Sequence, residues 1–372
     1  MTMIYLSPVP RSSFSQRPHK FVDWYHRRTG DKVIWIEPYP TRLPEMADAR
    51  SYMMISENSI IQSSDDSWIE VIKPSALPLE PIPVLNLVNK FLWRSLFKRL
   101  ESVLEQKETI IVVGKPSRLA NALARAYPHV KLLYDAMDDF PAFYGGISKA
   151  IMKITESNIV RRADHILVSS KELECKLSYV KQKVELVFNA CDAELFSMGI
   201  TENHIKNKKL CIGYVGTIGK WFNWHLVIEI ARCNPSVLIK LVGPVHGKVP
   251  QFLPKNIMLL KPCSHNVAIE QMKSFDAALI PFKLNELTNS VDPIKYYEYR
   301  ALGKIVFTTK FGEMKNKIDA GVFYLEDFSE NFKLEDAITT WLAKPTKISC
   351  VNSWISRFDS SSILNKVLIE KP

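Results

Sequence analysis

Short apolar runs alternate with longer amphipathic stretches along almost the whole chain, and this alternation constrains the fold more than any other feature. In the first half, runs of four or five residues rich in Ile, Val, Leu or Tyr stand at 3–6, 33–37, 110–113, 131–134 and 165–168. Continuous apolar runs of that length suit strands covered on both faces. Helical patterns lie between them, among them 17–28, closed by Gly30, and 117–126. Strand and helix taking turns means βαβ units and a parallel sheet. A polar, lysine-rich stretch, TENHIKNKK at 201–209, interrupts the pattern, which then restarts. Strands are expected at 210–215, 237–242, 257–260, 277–281 and 305–308, with helices at 224–233, 267–274 and 295–302. A chain of 372 residues exceeds the roughly 250–300 that one core supports. The expectation is therefore two doubly wound domains, 1–200 and 210–350, joined by 201–209. The helical segment 351–372 closes the chain.

Hydrophobic residues make up 47% and charged residues 24%, as in an ordinary globular protein. No apolar run reaches the roughly 18–20 residues that span a bilayer, and the first residues lack the basic and apolar regions of a secretory signal. The expected location is the cytoplasm. The six cysteines, Cys175, Cys191, Cys211, Cys233, Cys263 and Cys350, form no C-x-x-C pair and read as core thiols. Neither they nor the eight scattered histidines suggest a metal site, so no metal or other cofactor is expected. A net charge of +10 favours an anionic partner: nucleic acid, an anionic membrane surface or a phosphorylated substrate.

The most informative segment is SVDPIKYYEYRALGKIVFTT, residues 290–309. A turn with Pro293 opens a helix carrying Lys295 and Glu298, and Gly303 ends it before a buried strand. Ligands of open parallel sheets bind beyond the carboxyl ends of the strands, beside helix N-termini, whose unpaired N–H groups suit phosphate. A carboxylate one turn into such a helix can accept hydrogen bonds from a ribose diol. Spacing alone equally allows Glu298 to be a solvated helix residue with Lys295 its neighbour. IGYVGTIGKWFNW, residues 212–224, is a strand, a glycine-rich turn and a helix start. Gly216 and Gly219 permit close backbone approach to an anion and Lys220 can neutralise its charge, although a plain tight turn fits as well.

Segment 290–309 resembles the donor-binding helix of GT-B glycosyltransferases, in the group related to family 4 and to teichuronic-acid-type transferases, whose members read close to DPxKxYEYxAxGKPVV. The resemblance implies a GT-B fold, two Rossmann-like doubly wound domains facing across a cleft. It implies that Glu298 holds the nucleotide ribose and that the turn of Ser290 and Asp292 lies against the diphosphate, with Lys295 beside it. Ser290 stands where many family members carry a further glutamate, which leaves inversion and retention both open. The same resemblance places Gly216, Thr217 and Lys220 at the donor diphosphate, with Thr217 where many members have arginine. LVGPVHG, residues 241–247, resembles the strand end beside the base, with Gly243 and Pro244 as its donor contacts. FNACDAELF, residues 188–196, resembles the NGVDxxxF junction leading out of the first domain, and the last helix resembles one that returns to that domain.

The first domain is expected to bind the acceptor. FSQRPHKF, residues 14–21, resembles the QRP start of this group, and Arg17 and His19 can meet acceptor phosphate or sugar hydroxyls. Taken singly, they read rather as a surface arginine and a helix-entry histidine. LLYDAMDDFPAFYGG, residues 132–146, sets Asp135, Asp138 and Asp139 just beyond a buried strand. Clustered carboxylates raise one another's pKa and can supply a general base. Asp138 is the candidate, with helix capping by one of these aspartates as the alternative.

Residues 82–106 repeat apolar side chains at helical spacing, with Lys90, Arg94, Lys98 and Arg99 inside ten positions. A basic amphipathic helix of this kind lies in a headgroup layer or packs its stripe on a sheet. The reading favoured is peripheral contact with the inner leaflet, the resemblance implying a lipid-linked or oligosaccharide acceptor. The expected activity is transfer of a sugar from a nucleotide-sugar in surface polysaccharide synthesis. The rival enzyme is a nucleotide-sugar 2-epimerase. A nucleic-acid-binding protein is the rival from another class, but no helix-turn-helix, zinc-finger or RNP pattern is present, and no nucleic acid is expected. A catalytically dead scaffold is the third alternative.

Overall fold

The structure, a computed structural model, describes residues 1–41, 67–77, 80, 82, 86–106, 108–198, 209–327, 333–343 and 353–363. The chain falls into two compact units, Met1–Val187 with Phe358–Pro372, and Phe188–Arg357. Of the expected linker, 201–208 lie outside the described residues, as do 351–352 and 364–372 of the terminal segment.

The first unit is built on a seven-stranded parallel sheet of β1 (Thr2–Leu6), β2 (Lys32–Ile36), β3 (Ile69–Ile72), β4 (Thr109–Val113), β5 (Lys131–Ala136), β6 (His165–Val168) and β7 (Val184–Leu186). Their spatial order is β3-β2-β1-β4-β5-β6-β7. The central strands match the apolar runs because both of their faces are covered; all five residues of β4 are buried. Alternate side chains serve opposite faces. Ile4, Leu6, Ile34, Ile36, Ile111 and Val113 share a core with Trp93 and with Leu96, Leu100, Leu119, Leu123 and Ile159 of the helices Arg94–Leu104, Arg118–Ala126 and Gly146–Arg162. The other face is aromatic. Tyr5 stacks on Trp35 at 5.4 Å, and Phe358 meets Phe21 and Trp24 of helix Arg17–Thr29, each at 5.3 Å. The Trp24 indole N–H donates to the Asp359 carboxylate at 2.9 Å, tying helix Trp354–Asp359 to this face.

The second unit repeats the plan with β8 (Cys211–Val215), β9 (Leu238–Val242), β10 (Ile257–Leu260), β11 (Ala277–Ile280), β12 (Ile305–Thr308) and β13 (Val322–Tyr324), in the order β10-β9-β8-β11-β12-β13. In each sheet the direction of winding reverses once, between β1 and β4 and between β8 and β11. Such reversals part the loops that follow the two strands and open a crevice at their carboxyl ends.

Edge strands β3, β7 and β13 were not among the apolar runs, since each is three or four residues long and mostly half-buried. The expected single helix over 82–106 is two, Asn86–Leu92 and Arg94–Leu104, broken at Trp93; residues 81 and 83–85 lie outside the described ones. Among the described residues no helix is long and apolar enough to cross a membrane.

Gly213, in the middle of β8, has Phe275 seated directly over it. A Cβ there would lie 2.0 Å from a ring carbon. Gly213→Ala is expected to destabilise the second unit by about 1–3 kcal/mol through overpacking, read from urea unfolding. An unchanged midpoint would mean that the Phe275 ring has room to move.

Candidate functional site

The crevice of the second sheet is shaped by glycine. Gly216 follows β8 with φ +139, and Gly243 follows β9 with φ +137. A side chain on Gly243 would sit 2.4 Å from the Gly216 carbonyl oxygen, so the two loop backbones touch. Both N–H groups serve the sheet, Gly216 donating to Val242 O at 2.8 Å and Gly243 to Leu260 O at 3.2 Å. What the glycines contribute is therefore room. Beyond them the loops stay paired: Ile218 N–H donates to Pro244 O and His246 N–H to Ile218 O, each at 2.9 Å. The Thr217 carbonyl accepts from the Tyr214 hydroxyl at 2.7 Å, while Lys220 is exposed.

Helix Ile294–Ala301 is aligned on this turn. The Tyr299 hydroxyl, wholly buried, accepts from Val215 N–H at 2.9 Å. Lys295, in the first turn, lays its chain against Gly216, where an added Cβ would meet Cε at 2.4 Å and Nζ at 2.6 Å. Its ammonium stands 5.5 Å from the centre of the Tyr214 ring. Burial pushes the Lys295 pKa down and the charge of Glu298 pulls it back. Glu298, three residues on and half-buried, lies on the same helix face. It also helps burial push the Cys191 thiol up to about 12, which keeps that sulfur protonated. In the helix's first turn Tyr296 N–H donates to Pro293 O at 3.1 Å, and this end of the helix carries its partial positive charge.

Ser290 and Asp292 are buried in the preceding turn. The Asp292 carboxylate accepts from Asn189 N–H at 2.7 Å, from the Tyr297 hydroxyl at 2.9 Å and from Lys317 Nζ at 3.2 Å. Asn189 Nδ2 donates to the Asp292 carbonyl at 2.6 Å. The carboxylate thus pins the turn to segment 188–191 from inside. Sequence reasoning gave no role to Tyr297 and Asn189, which lie inside the quoted segments, nor to Lys317, which lies in none; the three meet only through folding. Gly312, at φ +43, brings its backbone under the same turn, 2.2 Å being left between an added Cβ and Val291 O.

In the first unit the three aspartates after β5 have separate surroundings. Asp135 is wholly buried and accepts from Arg17 Nε at 2.9 and 3.2 Å. Arg17, buried to the same degree, also donates to Val187 O at 2.7 Å and faces the Phe358 ring at 5.8 Å. Asp139 is ion-paired with Lys176. Asp138 is pushed up to about 7, first by burial and further by the charges of Asp135 and Asp139, against the pull of Arg17. Burial, with the charge of Asp139 adding to it, also raises Glu156 to about 7, and its carboxylate accepts from the Tyr134 hydroxyl at 2.6 Å. Asp139 begins the turn Phe140–Phe143 without capping it through its side chain.

Arg17 and His19, the expected acceptor contacts, are both engaged by groups of the protein. Arg17 bonds Asp135 through Nε and the Val187 carbonyl through one terminal nitrogen. His19, buried, accepts from Gln16 N–H at Nδ1 (3.2 Å) and pairs through Nε2 with Arg11 O at 3.2 Å. Burial lowers its pKa to about 4, with the Arg11 charge adding to the effect, so the ring stays neutral.

The crystal structure of Anabaena Alr3699/HepE, solved with UDP and with UDP-glucose, superposes with a TM-score of 0.58 at 14% identity, covering 96% of this chain and 93% of that one. A glycosyltransferase from Rickettsia africae gives 0.59 at 12% identity, over 100% and 99% of the two chains. Such likeness across both units decides the architecture. The fold is GT-B. The lipopolysaccharide outer core galactosyltransferase WaaB gives 0.57 at 11% identity over 99% of this GT-B chain and all of its own. In sequence, the chain is 28% identical over 207 residues to TuaH of Bacillus subtilis (strain 168), named as a teichuronic acid biosynthesis glycosyltransferase. That match takes in 50% of this chain and 52% of TuaH, so the chain spans about half the length of the curated relative it matches. No protein-family model matches it. The GT-B resemblance read in residues 290–309 agrees with these comparisons.

The raised Asp138 predicts a stability signature. A free aspartate titrates near ~3.9; with a folded value of about 7, the folded chain holds a proton that the unfolded chain releases. Stability therefore falls as pH rises through that window. Asp138→Asn is expected to melt higher than the unsubstituted protein at about pH 8 and level with it near about pH 4. A constant difference between the two melting curves would mean that this carboxyl titrates normally.

Proposed function

We propose that the chain is a glycosyltransferase that moves a sugar from a nucleoside-diphosphate sugar to a glycan acceptor, lipid-linked, in surface polysaccharide synthesis. The observation that carries this reading is the seat formed at the winding reversal of the second sheet. There, two touching glycine turns, the Lys295 ammonium and a helix amino end stand together, with Glu298 one turn along. A diphosphate fits the first group and a ribose diol fits Glu298. In this reading Gly216, Gly243 and Pro244 admit the donor by leaving space, Thr217 and Lys220 border its phosphates, and Ser290 and Asp292 hold the turn. The structural likeness to a protein solved with UDP-glucose makes UDP the first nucleotide to test.

Transfer needs a proton removed from the acceptor hydroxyl. Asp138, poised near neutrality, takes it as the hydroxyl oxygen bonds to the anomeric carbon. The bond from that carbon to the diphosphate breaks, and the nucleoside diphosphate leaves with the electron pair, its charge met by Lys295 and the helix amino end. Arg17 and Asp135 act by setting the field at Asp138. Contact with the inner leaflet is assigned to 82–106, where Leu87, Val88 and Phe91 are exposed beside Lys90 and Arg94.

Calorimetry with UDP, GDP, dTDP and CMP tests the seat. One nucleotide is expected to bind, and Glu298→Ala to weaken it by about tenfold or more, the cost of leaving a buried polar partner unpaired. Absence of affinity for any of them in a folded sample would overturn the assignment. Asp138→Asn is expected to retain that nucleotide affinity and to lose about 10²–10⁴-fold in turnover, measured with radiolabelled donor and acceptor. Near-normal turnover would remove Asp138 from the mechanism.

A further inference from the structure

The loops that leave β8 and β11, on either side of the winding reversal in the second sheet, are joined to each other. Asn223 N–H donates to Pro281 O at 2.8 Å and Lys283 N–H to Trp221 O at 2.7 Å, around an antiparallel bridge between Phe222 and Phe282. Both phenylalanines are buried, Phe222 against the Tyr214 ring at 5.2 Å. Trp221, half-buried, stands across this pairing from the exposed Lys283 and meets the Phe282 ring edge-on at 6.4 Å. Its indole N–H donates to the Tyr214 hydroxyl, which in turn donates to Thr217 O at 2.7 Å. The six-membered part of the indole lies over Gly219, where an added Cβ would come within 2.6 Å of it. Backbone, N–H and ring are thus all fixed, and the one polar atom of the side chain is used inside. What Trp221 still shows to solvent is a rigid apolar surface beside the exposed Lys220 and Lys283. Tyr214 ties that surface to the donor seat. The Lys295 ammonium stands 5.5 Å from the centre of the Tyr214 ring, and a Cβ on Gly216 would lie 3.6 Å from its hydroxyl.

Resting on the donor seat proposed above, and naming a residue for its sugar, we infer that Trp221 is the platform on which the transferred hexose stacks. A hexopyranose carries a face of C–H groups with its hydroxyls directed outward, and the electron-rich face of an indole suits it. In a nucleotide-sugar the hexose hangs directly on a phosphate, while the base is held off by the ribose assigned to Glu298. The group that a platform beside Lys295 meets is therefore the sugar. Gly219 serves the same end, since a side chain there would lift the ring from the turn. A platform already fixed before the ligand arrives adds affinity without an ordering cost. A tryptophan that only closed the core would serve nucleotide and nucleotide-sugar alike.

Calorimetry on the full chain compares UDP with UDP-glucose, UDP-galactose and UDP-N-acetylglucosamine; should GDP or dTDP prove to be the nucleotide that binds, its own hexose conjugates take their place. Trp221→Leu is expected to bind UDP within about twofold of the unsubstituted chain and the preferred UDP-sugar about tenfold more weakly, the worth of one aromatic face. Gly219→Ala, which displaces the ring and leaves Trp221 in the chain, is expected to do the same and serves if Trp221→Leu does not fold. Saturation-transfer NMR is expected to mark the hexose C–H protons as well as the uridine protons in the unsubstituted chain, and the uridine protons alone in Trp221→Leu. Equal losses for UDP and UDP-sugar, or no loss for either, would overturn the platform. So would hexose protons that stay saturated in Trp221→Leu. An unsubstituted chain that binds none of these ligands would end the donor seat itself, and the platform with it.

Discussion

Two loop backbones approach so closely at Gly216 and Gly243 that a side chain on Gly243 would strike the Gly216 carbonyl, and the candidate donor seat depends on that contact. It brings the carboxyl ends of β8 and β9 level. It also leaves the space into which Lys295 lays its chain, and Tyr299, bonded to Val215 N–H, holds the helix in register with the turn. A lysine half-buried over an aromatic ring is a strained choice for a merely structural residue, since burial disfavours its charge. Glu298 on the same helix face offsets that cost. The seat is thus a compact positive centre made chiefly of backbone and one ammonium, a suitable host for a doubly charged leaving group.

The first unit solves a different electrostatic problem. Three aspartates within five positions would repel one another if left alike. Asp135 is neutralised by a buried arginine and Asp139 by Lys176, so the burden of an uncompensated site falls on Asp138. Removing Arg17 would strand a buried carboxylate, at a cost of about 3–5 kcal/mol. Its burial is therefore as much a part of the site as a ligand contact would be. The Asp292 turn in the second unit is built on the same logic: a carboxylate satisfied from three directions fixes a loop whose backbone must be still.

Much of this architecture can be read directly from the residues. Strands covered on both faces must be apolar throughout, so β4, β6, β11 and β12 show as runs, and the glycine turn of 216–219 and the helix of 294–301 follow from local pattern. Edge strands β3, β7 and β13 escape notice because one flank lacks a neighbour and their residues need not be apolar. The break at Trp93 escaped too, since the helical spacing continues across it while Asn89 rotates the first piece outward.

The order of elements, the parallel sheets and the helix Ile294–Ala301 were set by the sequence itself, because periodicity and glycine placement act over a few residues. The roles of charged side chains were decided only by tertiary structure. Arg17 and His19 allow ligand and structural readings alike in the sequence, and in the fold they bond to protein groups; Asp292, set beside phosphate by the resemblance, is held by Lys317 and Asn189. Charge depends on distance and burial, and both are settled by residues far away in the chain.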